Sequence, residues 1–142
     1  TNISIGCARL GLNSALITRV GDEHMGRFIR ETLDGEGVDT SHVTTDPDRL
    51  TALVILGSRD SEQFPLIFYR EHCADMAVGE EDIDPDFIAS AKAVLVTGTH
   101  FSTDRVAGAR FAAMKLARKF GRKVAFVGLC WPRVGLQEGI LT

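Results

Sequence analysis

The amino-acid sequence predicts an α/β protein, a doubly wound parallel sheet carrying a small antiparallel β flap. Three observations predict it. A short apolar run at 14–20 is broken by Gly21-Asp22, and Met25, Phe28, Ile29 and Leu33 then recur at helical spacing. The same strand-turn-helix order returns at 93–97 and 103–120, with a further strand from 123. Strands alternating with amphipathic helices indicate parallel βαβ units. Between them, 51–56 and 64–70 are rich in β-formers with no helical period separating them, so they cannot form a right-handed parallel crossover.

Each element has its own signal. Near the start, the small residues Ser4, Gly6 and Ala8 alternate with Ile3, Ile5, Cys7 and Leu10, which suits a helix packed closely on a sheet. Gly11 is placed to end that helix in the left-handed conformation. The chain opens at Thr1, without a methionine and already inside this apolar segment, which predicts a missing N-terminus. Within the next strand, residues 15–18 read as buried. Asp22 is the expected N-cap of the following helix, with Glu23 adding negative charge to the first turn, where exposed N–H groups favour it. That helix is expected over 23–33, closed by Gly35 and Gly37.

Residues 41–50, with Asp46-Pro47-Asp48, read as a turn-rich link from helix to flap. The polar stretch 57–62 joins the two flap runs as a hairpin. Along 103–120, Val106, Ala109, Ala113, Leu116 or Ala117, and Phe120 share one face, with Arg110, Lys115, Arg118 and Lys119 expected to point outward. Gly121 stops the helix. Internal repeats and low-complexity segments are absent from the sequence.

Composition narrows the function classes. A chain of 142 residues with 44% hydrophobic and 25% charged residues is that of a soluble globular domain with a real core. A net charge of -3 provides no basic field for nucleic acid. No apolar run has the length of a transmembrane helix, so no membrane partner is expected. Cys7, Cys73 and Cys130 form no C-x-x-C pair, and adjacent His72-Cys73 is a poor chelate because neighbours on a strand face opposite ways. Free thiols of a cytoplasmic protein are the expectation.

Two places carry candidate chemistry. The Gly21-Asp22 turn sits at the carboxyl end of a strand, where ligands gather in open α/β sheets. On the flap, Tyr69-Arg70-Glu71 ends the second strand just before residues 72–77, His-Cys-Ala-Asp-Met-Ala. An arginine presents a planar, permanently charged fork that fits a carboxylate or phosphate, and a neighbouring tyrosine adds a hydroxyl. The alternative is a surface pair of Arg70 with Glu71 or Asp75. His24 reads as solvated and His100 as a packing or capping group, while Trp131 and Pro132 lie in a tail of unassigned pattern. Serine-triad, zinc-ligand and phosphate-loop spacings are absent, so no catalytic or metal-ligating residue is assigned.

Several runs carry a resemblance. Asn2-x-Ser4, Gly11 and Gly21 fall at the spacing of the N-terminal motif of the ribokinase-like (PfkB) carbohydrate kinases. A-R-L-G at 8–11 and R-V-G-D-E-x-x-G at 19–26 are similar to that family as well. The runs R-L-T-A-L-V-I-L-G at 49–57, F-P-L-I-F-Y-R-E-H-C-A-D-M-A at 64–77 and V-T-G-T-H-F-S at 96–102 resemble its sugar-acid branch, which serves inositol catabolism. The likeness spans nearly all of residues 1–127.

The resemblance implies a ribokinase-like α/β domain, here its incomplete N-terminal part over 1–142, with residues 51–70 as a β lid that closes over the sugar and often serves as a dimer surface. It implies ATP and Mg2+ as cofactors and a small sugar acid as substrate. Asn2 would contact the sugar, Arg70 at the lid's Y-R position would take the substrate carboxylate with Tyr69 beside it, and Thr99 would line the substrate cleft. Two departures accompany it. After residue 126 the family's D-x-D/N-x-R-P-x-L-W is replaced by V-G-L-C-W-P-R-V-G-L-Q-E-G-I-L-T, as a frameshifted or wrongly joined end would produce. The family's G-A-G-D run, whose aspartate takes the proton from the attacking hydroxyl, does not occur in these 142 residues. Two functional expectations follow: the substrate side and lid of an ATP-dependent sugar-acid kinase, or a truncated non-catalytic module that binds sugar or dimerises.

Overall fold

The computed structural model describes residues 1–58, 65–98, 101 and 103–128. Helix α1 (Asn2–Arg9) leads to β1 (Thr18–Gly21), α2 (His24–Gly35) and β2 (Val43–Asp46). Strands β3 (Leu53–Leu56) and β4 (Leu66–Tyr69) follow, then two 3-10 turns, Ala74–Ala77 and Glu80–Asp82. The chain continues through α3 (Pro85–Ser90), β5 (Ala93–Thr97), α4 (Asp104–Lys119) and β6 (Lys123–Val127).

The parallel pairings predicted from the alternation are present. β1 runs parallel to β2 with Thr18 opposite Val43, and β5 parallel to β6 with Ala93 opposite Lys123. Helices α2 and α4 are therefore the crossovers of two βαβ units. Among the described residues these pairs are separate two-stranded sheets, where the sequence suggested one sheet. Packing joins the surroundings: Ile17, just before β1, packs with Val94 and Val124 against buried Ile88, Ala113 and Ala117. A second core holds Val20, Leu33, Val38 and Val43, with Ile5 and Ala8 of α1 packed on it. The small-residue helix thus lies on the β1–β2 unit as expected, and Gly11 follows it at φ +81°, a conformation costly for any side chain.

Four local expectations are corrected. The N-cap of α2 is Glu23, not Asp22, because β1 continues through Gly21 and the extended Glu23 accepts from the N–H groups of Met25 (2.6 Å) and Gly26 (3.2 Å). The supposed linker at 41–50 contains β2, whose Val-Thr-Thr-Asp composition reads as a turn until β1 supplies its ladder. Along α2 the buried stripe is narrow: Leu33 is fully buried, yet Met25 is exposed and Phe28 is 59% exposed. On α4 the predicted face is buried at Val106, Ala109, Ala113 and Ala117, but Arg110 is half-buried instead of outward, because α4 packs on the 3-10 turns as well as on β5 and β6.

Strands β3 and β4 form an antiparallel ribbon, Leu53 opposite Tyr69 and Leu56 opposite Leu66, paired with neither parallel unit. All eight ribbon residues are exposed, so both faces lie open. Of the cysteines, Cys7 and Cys73 are free thiols, the first half-buried and the second buried; Cys130 lies outside the described residues. No described helix is long and apolar enough to cross a membrane.

Candidate functional site

The foot of the ribbon is built around the turn that follows β1. There the chain from β2 crosses directly over the start of α2. Asp46 shapes this approach, its Oδ1 accepting from the N–H groups of Asp48 (3.1 Å) and Arg49 (3.0 Å). Thr51 then docks: its N–H donates to Glu23 Oε1 at 3.1 Å, and its Oγ1 accepts the Gly21 N–H at 2.9 Å. The Thr51 hydroxyl also binds the Glu23 carboxylate and is the main cause that holds this carboxyl below its ordinary range, with the N–H groups of Met25, Thr51 and Gly26 adding to it against desolvation. Contact is close enough to require glycine at 26, where a Cβ would lie 2.1 Å from the Gly21 carbonyl oxygen and 3.1 Å from Thr51 Oγ1.

The ribbon's return is fastened beside its entry. After β4 the backbone reverses at His72, which sits at φ 53° in the left-handed region. Ala74 N–H then donates to Leu50 O at 2.9 Å, and the Cys73 thiol to Tyr69 O at 3.4 Å. Burial pushes the Cys73 thiol pKa up, away from the reactive thiolate.

Between this foot and α2 lies an open cleft of about 630 Å³, lined among others by Glu23, Met25, Thr51, Phe68, Tyr69 and Arg70. The Arg70 guanidinium is paired with Asp75, Nε to Oδ2 at 3.0 Å and Nη2 to the same oxygen. Their side chains are 27% and 18% exposed. The local pair that the sequence offered as the alternative to a ligand contact is therefore formed. It engages the Nε–Nη2 edge of the fork, and Arg70 still lines the cleft.

A second charged cluster fixes the 3-10 turns to β1. Arg19 Nε lies 3.0 and 2.9 Å from the two carboxylate oxygens of Asp82, and its Nη2 3.2 Å from Glu81. Asp46 stands 3.7 Å from Arg19 Nη1. Arg105 of α4 joins through Glu81 and through a 2.9 Å bond from its Nε to Ala77 O. The hydrogen-bond partners of Arg19, Glu81 and Asp82, are 62 and 63 residues away, so no local spacing signalled them.

The predicted site residues are thus distributed. Tyr69 and Arg70 share the cleft. Asn2 occupies the first turn of α1, exposed, and is not among the residues lining it. Thr99 and His100 lie outside the described residues, as does the departing tail from 129 onward. Glu23 and Thr51 were missed as members of the foot; the R-V-G-D-E and R-L-T runs hold them but state no pairing. Among the described residues no three His, Cys, Asp or Glu side chains converge to hold a metal.

The fold of this chain is shared by sugar kinases of known structure. The crystal structure of a PfkB protein from Polaromonas sp. JS666 superposes with a TM-score of 0.87 at 32% identity, over 92% of this chain and 45% of that one. A putative ribokinase II from E. coli, in complex with ATP and Mg2+, shares the fold with a TM-score of 0.81 at 18% identity, over 86% of this chain and 39% of that one. Residues 1–140 match the pfkB family carbohydrate kinase, and the chain belongs to that family. A 5-dehydro-2-deoxygluconokinase from Geobacillus kaustophilus is 40% identical over 126 residues, 88% of this chain. This chain spans 38% of that relative's length.

Proposed function

We propose that residues 1–142 are the N-terminal, substrate-side part of an ATP-dependent carbohydrate kinase acting on a sugar acid, 5-dehydro-2-deoxygluconate by the likeness to the Geobacillus relative. The observation that carries this reading is the presence of Tyr69 and Arg70 together in a cleft lined in part by a separate β ribbon. The ribbon is the lid, and Arg70 binds the substrate carboxylate with the part of its fork that Asp75 leaves open. Tyr69 adds a hydroxyl contact, while Asn2 and Thr99 contact the sugar from the α/β body. The protein works in the cytoplasm.

Phosphoryl transfer needs an aligned acceptor, a neutralised triphosphate and stabilisation of developing charge. This chain's residues supply the first of these by binding and orienting the acid. ATP with Mg2+, which the family and the ATP complex of the E. coli neighbour support, supplies the phosphoryl group. Among the described residues no three His, Cys, Asp or Glu side chains converge to hold a metal by themselves.

The test is kinetic. In the full-length protein, Arg70→Ala raises the KM for the keto-sugar acid by about ten- to a hundredfold, the worth of a charge-assisted fork, and leaves the KM for a neutral hexose unchanged. Equal effects on both substrates refute the assignment.

A second reading rests on a ribbon open on both faces. In it the isolated chain is a non-catalytic module that binds sugar acid and forms a homodimer through the lid. Sedimentation of the chain, with Phe68→Lys as control, reads this directly: a dimer lost on substitution supports it, and a monomer at all concentrations rejects it.

A further inference from the structure

We infer that Leu53, on the first strand of the ribbon, is a specificity-determining residue that presents an apolar wall to the carbon beside the substrate carboxylate. The cleft then takes an acid with a methylene at that carbon and disfavours one with a hydroxyl there. The inference rests on the reading of Arg70 as the carboxylate contact and deepens it. Leu53 stands opposite Tyr69 in the β3–β4 ladder. Residues directly opposite on antiparallel strands project to one face, with Cβ atoms about 5 Å apart. Both line the cleft, and Tyr69 immediately precedes Arg70 in the chain. The ribbon thus brings the guanidinium fork and the Leu53 side chain to one end of the cleft. Leu53 is 41% exposed, so a ligand in the cleft can touch it.

The polar groups beside Leu53 are already engaged within the protein. The Thr51 hydroxyl accepts the Gly21 N–H at 2.9 Å and binds the Glu23 carboxylate with its one hydrogen. That carboxylate also receives the N–H groups of Met25, Gly26 and Thr51, which with the hydroxyl fill its lone-pair sites. Met25, on the α2 side, adds a second apolar side chain to the lining. Asp48, Arg49, Glu71 and His72 line the cleft from the turns before and after the ribbon, not from the face that Leu53 and Tyr69 share. The acid proposed above carries a methylene on the carbon next to its carboxylate. With the carboxylate on Arg70, that carbon lies one bond away. A hydroxyl on it loses water against Leu53 without gaining a partner.

The experiment is calorimetric titration of the 142-residue chain with two probes, 5-dehydro-2-deoxy-D-gluconate and 5-dehydro-D-gluconate, which differ in the hydroxyl beside the carboxylate. The expected result is that the chain binds the deoxy acid about ten- to a hundredfold more tightly, the reach of an apolar wall against an added hydroxyl. Leu53→Asn, which offers an amide to that hydroxyl, brings the two affinities together, and the apolar Leu53→Met keeps them apart. Equal binding of the two acids by the unaltered chain, or a preference that Leu53→Asn leaves intact, overturns the inference. In either case, weaker binding of both acids on Arg70→Ala keeps the reading of Arg70, and unchanged binding removes that reading as well. Binding of neither acid overturns both. The ratio also separates this role from a structural one. A disturbed fold weakens both acids alike on Leu53→Asn and leaves their ratio unmoved, and that outcome overturns the inference.

Discussion

The Glu23 carboxylate accepts the Thr51 backbone N–H at 3.1 Å, so one acidic side chain both caps α2 and fastens the first strand of the ribbon. The two roles are coupled through geometry. Capping requires the carboxylate at the open N–H groups of Met25 and Gly26, and that position faces the passing chain at Thr51. The entry of the ribbon is therefore tied to the helix that leaves β1.

Replacing Glu23 with alanine removes the cap and the hold on Thr51. The expected loss of stability at pH 7 is about 0.5–2 kcal/mol, the range for N-cap deletion. Because the folded carboxyl lies below the ordinary glutamate value of 4.5, its contribution is fully present above that pH and is lost as the pH falls through the depressed folded value. Urea melts of both proteins from pH 7 to pH 3 read this: the gap between them narrows below pH 4.5, and a constant gap contradicts the role of the ionised group.

Glycine has opposite meanings at two helical positions. At Gly26 a Cβ meets the Gly21 carbonyl oxygen at 2.1 Å, so Gly26→Ala forces α2 away from the end of β1 and costs about 1–3 kcal/mol. At Gly6 of α1 a Cβ meets nothing within 4 Å, and Gly6→Ala stabilises by about 0.5–1 kcal/mol through lower unfolded-chain entropy. Thermal melts of the two variants move in opposite directions; a common sign contradicts the packing described for Gly26.

Arg19 joins β1 to the 3-10 turn at Glu80–Asp82 through a two-pronged contact with Asp82. Arg19→Ala leaves the Asp82 carboxylate, 6% exposed, without that guanidinium, and about 3 kcal/mol of stability is lost. A double-mutant cycle with Asp82→Ala returns a coupling well above 1 kcal/mol if the pair acts as a unit, and a value near zero if each side chain acts alone.

Core and surface positions of α2 separate just as sharply. Leu33→Ala opens a cavity in the β1–β2 core and costs about 2–5 kcal/mol, whereas Phe28→Ala, at a largely exposed ring, costs under about 1 kcal/mol. Comparable losses in denaturant melts place Phe28 under a covering element.

The sequence by itself determined the order and kind of the main elements: the two crossover helices, the strands at 93–97 and 123–127, and the separate ribbon. Hydrophobic period and turn residues act between neighbours in the chain, so Val106, Ala109, Ala113 and Ala117 declared their buried face without knowing what would cover it. Family membership was legible for the same reason, in contiguous runs such as 64–77. What only the tertiary structure decided was partnership. β2 became a strand because β1 offered its hydrogen bonds, Glu23 found Thr51 across 28 residues, and Arg19 found Asp82 across 63. Arg110 lost its place in solvent because α4 lies against the 3-10 turns. These outcomes depend on which surfaces meet once the chain has closed on itself, and that is a property of distance in space that no local period encodes.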